Sequence, residues 1–146
     1  MLIRTLAGVA AGTLLATSAF AQSAKEIRGA SPYVAIENET APRLIVDPPL
    51  AEGLAIGVYW AQYRVENLRI VPVFGAGALK TSPRVGHLHV TVDDAPWHWA
   101  EASDLPLIIA GLPAGQHKVL VELADANHNV IEGKTVTFVI PEQAHS

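Results

Sequence analysis

The chain has 146 residues, half of them hydrophobic and 16% charged, with a formal net charge of −4 and no cysteine. That length suits one domain, and the missing thiols exclude disulfides and any thiolate metal site. A mildly acidic chain without a basic stripe is a poor partner for nucleic acid or an anionic membrane, so apolar burial has to hold the fold.

Arg4 precedes an apolar run, Leu6 to Ala16, which is shorter than the about 20 residues needed to span a bilayer core. It closes on Ser18-Ala19-Phe20-Ala21, whose small side chains at Ala19 and Ala21 suit signal peptidase. We expect a cleavable signal peptide over residues 1–21, with the cut before Gln22. Removing 21 of the 146 residues leaves 125, and the loss of Arg4 moves the formal charge from −4 to −5. No later segment is long and apolar enough to span a membrane. The mature chain is therefore expected in the bacterial periplasm or outside the cell. Residues 22–41 read as a flexible lead-in, 42–141 as one domain and 142–146 as a tail.

The domain reads as strand and turn throughout. Leu44 to Val46 is a short β-branched run stopped by Asp47-Pro48-Pro49. Leu54 to Trp60 and Arg64 to Phe74 are further strand-like runs, and Val71-Pro72 marks an edge or a bulge in the second. Gly75-Ala76-Gly77 is a turn. Val85 to Asp93 alternates, with Leu88, Val90 and Val92 on one face and His87, His89, Thr91 and Asp93 on the other. Trp97 to Ser103 has room for one helical turn at most. Leu105 to Ala110 is short and apolar. His117 to Leu123 alternates again, with His117, Val119, Val121 and Leu123 together. Asp125 to Asn129 is a turn before a last strand, Thr135 to Ile140. About seven short strands with turns every 8–12 residues predict an all-β fold, an immunoglobulin-like antiparallel β-sandwich.

All six histidines lie after residue 86. His87 and His89 are two apart on a predicted strand, so both project from one face and can share a copper or zinc ion. His117, on a later strand, and His98 and His128, in loops, are the candidates to complete the set. Asp93 and Asp94 are candidate partners for an imidazole's second nitrogen. The competing reading gives the histidines to the fold: His117 supports the corner after Gly115, and His128 sits in a hairpin turn. Two tryptophans flank His98 just after a strand end. Trp97 and Trp99 either cap the open end of the sandwich or offer an aromatic platform to a sugar, a peptide or a cation.

Gly86-His87-Leu88-His89 through Asp94, then Pro96-Trp97-His98-Trp99, then Gly111 to Val119, resemble a family of short exported bacterial proteins of unknown function. The resemblance extends to Glu66–Gly75 and to Thr135–Pro141, and so runs over roughly residues 43 to 141. It implies an immunoglobulin-like sandwich in the cell envelope and no particular reaction, ligand or partner. Blue-copper proteins share the architecture, but their site needs a cysteine that this chain lacks.

The sequence thus favours a non-catalytic periplasmic binding module holding copper or zinc on clustered histidines. An envelope structural or interaction module without metal, contacting another envelope protein or a small ligand, is the second reading. A metal-dependent hydrolase on His87, His89 and Asp93 is the third. It is disfavoured because the chain has no Gly-x-Ser-x-Gly elbow and no other recognisable nucleophile constellation.

Overall fold

A computed structural model describes residues 38–142. The signal peptide expected over residues 1–21, most of the lead-in and His145 lie outside them. The last lead-in residues are held. The Arg84 guanidinium donates to the carbonyls of Thr40 at 2.7 Å and Glu39 at 3.3 Å, and the Asn67 amide donates to that of Ala41 at 3.0 Å.

Among the described residues, nine strands make an all-β fold: β1 (Arg43–Val46), β2 (Val58–Ala61), β3 (Tyr63–Glu66), β4 (Arg69–Ile70), β5 (Val85–Val92), β6 (Trp99–Glu101), β7 (Leu107–Ala110), β8 (Gly115–Asp125) and β9 (Val130–Ile140). One helical turn, α1 (Ala51–Leu54), and a 3-10 turn, Ala78–Lys80, are the helical pieces among the described residues. The largest sheet runs β4-β5-β8-β9, with β6 also on β5. Since β8 takes one edge of β5, β4 and β6 share the other: β4 pairs with Val85 and Gly86, β6 with Leu88 to Val90. The β4 pairing is parallel and the rest are antiparallel. Two further antiparallel pairs, β1 with β3 and β2 with β7, complete the fold.

Both pairs contribute to one core. Leu44, Tyr59, Ala61 and Leu107 cluster with Leu88, Val90, Val119, Val121, Leu123, Phe138 and Ile140 from the large sheet. Each fully buried Leu, Ile, Val or Phe side chain contributes about 1.5–3 kcal/mol, which is how a chain without disulfides keeps its fold. The predicted alternation holds on β5 and β8: paired residues share a face, so Leu88 with Leu123 and Val90 with Val121 turn inward.

The structure divides two expected strands. In Leu54 to Trp60, the chain leaves α1 and turns at Gly57, whose φ is 75°, before β2 starts at Val58. Glycine tolerates that backbone, and the turn is secured by Leu112 N–H donating to Gly57 O at 3.1 Å. In Arg64 to Phe74, Asn67 takes φ 59° and separates β3, which pairs with β1, from β4, which pairs with β5. Ile70 ends β4, so Pro72 falls beyond an outer strand, where its missing N–H costs nothing. Trp97 to Ser103 holds β6 rather than a helical turn. No helix among the described residues is long and apolar enough to cross a membrane.

Candidate metal centre

The outer face of β5 is as buried as its inner face. His87 is completely buried and His89 nearly so. What covers them comes from the β8–β9 turn. A bulge between Leu123 and Ala124 breaks the β8–β9 register. Beyond it the Asp125 carboxylate accepts from Asn127 N at 2.7 Å, Asn129 N at 3.0 Å and Asn129 Nδ2 at 2.9 Å. His128 adopts φ 64° at this turn, with its N–H on Asp125 O at 3.1 Å. That turn brings the His128 imidazole back over β5.

Three ring nitrogens converge there. His87 Nε2 lies 2.9 Å from His89 Nε2 and 2.9 Å from His128 Nδ1, and the last two are 3.2 Å apart. Phe74 packs edge-on to His87 at 4.9 Å between ring centroids and stacks on His128 at 5.6 Å. Its loop is tied to the turn by Gly75 N–H on Ala126 O at 2.6 Å. His98 stacks on His89 at 4.3 Å.

Burial and then the neighbouring imidazoles push the pKa of His87 down to about 4, and burial and then His98 lower that of His89. Both rings are therefore neutral near pH 7, and a neutral imidazole keeps one ring nitrogen unprotonated. Hydrogen bonds alone do not satisfy the trio, because His87 Nδ1 is buried without a partner. The three histidines could hold one metal ion. His87, His89 and His128 would supply such an ion with three imidazole donors, the ligand type that copper and zinc accept. Such a tripod leaves a fourth coordination position open.

Across residues 1–146 the chain matches a family model. It belongs to a family of unknown function (DUF6130). No curated protein and no solved structure matches the chain.

In this DUF6130 chain the remaining sequence candidates divide cleanly. His117 is at the other end of the sheet and on its inner side. It follows the face of Val119, which pairs with Val92, and stacks on Phe138 at 5.9 Å. Its Nδ1 meets Asp93 Oδ2 at 2.7 Å and its Nε2 meets the Pro113 carbonyl at 2.8 Å. Both partners only accept, so both nitrogens donate and the ring is an imidazolium. Asp93 does orient an imidazole, but that of His117, outside the trio. Asp93 and Asp94 form a tight turn at φ 49° and 54°, closed by Ala95 N–H on Val92 O at 2.9 Å. Asp93 Oδ1 also accepts Lys118 N–H at 2.9 Å, and Asp94 pairs with the Lys118 ammonium at 2.5 Å. Trp99 is half-buried against the core, while Trp97 is 60% exposed beside it.

This latch has a pH signature. The Asp93 carboxylate, and then the Pro113 carbonyl, raise the pKa of His117 above 6.5, while the Lys118 amide, then His117, lower that of Asp93 below 3.8. The His117 contribution is complete below pH 6.5 and fades as pH rises through the raised value. That of Asp93 is complete above pH 3.8 and fades as pH falls through the lowered one. We expect thermal stability to decline from pH 6.5 into the alkaline range. Asp93→Asn should flatten that decline, and His117→Ala should cost about 1.5–3 kcal/mol at pH 6. An unchanged slope in Asp93→Asn would assign the decline to other groups.

Sequence reasoning did not anticipate Phe74 or Asp125 at the centre. The Asp125-x-Asn127-x-Asn129 spacing around His128 was the available signal, since an Asx carboxylate closing on later amides reverses the chain sharply. Glu122, opposite His89 on β8, was equally unforeseen and sets a carboxylate beside the site.

Proposed function

We propose that the protein is a non-catalytic binding module of the bacterial cell envelope, periplasmic or secreted, that holds one copper(II) or zinc(II) ion on His87, His89 and His128. The observation that carries this reading is the approach of three imidazole nitrogens to within 2.9–3.2 Å of one another. Imidazoles suit copper and zinc, and the chain supplies no thiolate and, after Met1, no thioether that would favour copper(I). An immunoglobulin-like sandwich is supported by the core shared between the large sheet and the β1–β3 and β2–β7 pairs. The sequence from Met1 to Ala21 supports export.

Calorimetric titration with copper(II) and with zinc(II) tests the reading. The protein should bind one equivalent with submicromolar affinity, and His87→Ala/His89→Ala should bind none. Heat no larger than that of the double variant would remove the metal from the proposal. The second reading, a protein-interaction module, is supported at the Trp97 corner, and under that outcome Trp97 becomes the residue to probe.

A further inference from the structure

We infer that His98 is the fourth, exchangeable ligand of this centre, the group that closes the coordination sphere once an ion is bound. The inference rests on the tripod reading above.

Strand register places the residue. Ala100 lies opposite His89 and Trp99 opposite Val90. Side chains alternate along a strand, so Trp99 joins Val90 on the core side while His98 and Ala100 share the side of His87 and His89. The position is firmly built. Trp99 is packed against the core on one side of His98, and the Asp93-Asp94 turn is closed by its Ala95 N–H···O=C Val92 bond on the other.

The ring itself is uncommitted. It lies against His89 with 28° between the planes, and among the described residues no hydrogen bond holds either ring nitrogen. The contrast with His117, whose two nitrogens are both engaged, separates a histidine that supports the fold from one free to ligate. His98 is also exposed, whereas His87 and His89 are buried.

The tripod needs such a group. Three nitrogens spaced 2.9–3.2 Å apart form one face of a coordination polyhedron. Zinc in closed sites takes four ligands in a tetrahedral arrangement, and three facial nitrogens leave one of those positions to fill. His98 stands outside the convergent trio, against His89, so ligation requires its side chain to swing out of the stack toward those nitrogens. Being exposed, the same imidazole can meet an incoming ion at the surface and return to its stack when the ion leaves. The site so described binds its ion reversibly.

The test compares the protein with His98→Phe, which keeps a flat ring to stack on His89 but offers no lone pair. Each is loaded with one equivalent of copper(II) and studied by X-ray absorption and by electron paramagnetic resonance, with affinities from chelator competition. The expected result is four imidazole nitrogens in the protein and three in the variant. The variant's affinity should fall at least by the 10–100-fold that loss of an outer-shell partner costs. Equal nitrogen counts and equal affinities, with binding still abolished in His87→Ala/His89→Ala, would overturn the role of His98 and leave the tripod standing. Failure of the protein itself to bind either copper(II) or zinc(II) would overturn both.

Discussion

Replacing His87 with leucine is expected to abolish metal binding while leaving the metal-free fold as stable as before, or about 1 kcal/mol more stable. The usual cost of a core substitution is offset because His87 is only half satisfied. It is fully buried, with Nδ1 unpartnered and Nε2 facing two other imidazole nitrogens. An unsatisfied buried polar group costs about 1–3 kcal/mol, and an apolar group of similar size removes that cost. With an ion bound the balance reverses. Metal at about 1,000 times its dissociation constant stabilises the folded protein by about 4 kcal/mol, a gain His87→Leu forfeits. Denaturant melts with and without zinc would show both effects. A metal-free His87→Leu protein destabilised by several kcal/mol would mean that the trio serves the fold.

The contrast between the two histidine groups shows how much of the site is legible in the residues alone. Period-two alternation on β5 put His87 and His89 on one face, because a strand has no other way to place them. The alternation of β8 put His117 with Val119 and Val121, and joining the two patterns separates His117 from the pair. Alternation does not say whether the outer face is open. Here it is covered, and the cover is made by a turn and a loop rather than by a second sheet.

His128 belongs to the centre because of the bulge at Leu123/Ala124 and the left-handed backbone at His128 itself. The bulge does not follow from residue type at short range, whereas the turn at His128 is signalled by Asp125, Asn127 and Asn129. The same limit applies to strand boundaries. Asn67 divides an apolar run that reads as one strand, and β9 begins at Val130, five residues before its expected start, where Val130 and Ile131 are exposed and the pattern is weak. The core strands were legible from their apolar alternation. Their breaks depend on single residues with positive φ.

Gly86→Ala is expected to destabilise the protein by about 3 kcal/mol or more and to weaken metal binding with it. A Cβ at Gly86 would lie 2.2 Å from the Ala124 carbonyl oxygen and 3.1 Å from Leu68 Cδ1. A side-chain tip can yield, but the Ala124 oxygen belongs to the backbone of β8, so the strands must part. They would part where Gly86 pairs with Asp125 and His87 with Ala124, beside the bulge that aims the His128 turn. Stability and binding should therefore fall together. Gly77→Ala is the matched control: Gly77 has φ −65° and a Cβ there would meet nothing within 4 Å, so alanine should be neutral or slightly stabilising. Urea unfolding and zinc titration of both variants would decide it. A Gly86→Ala protein within about 0.5 kcal/mol of the parent, still binding zinc, would show that the β5–β8 spacing does not depend on the bare backbone at Gly86.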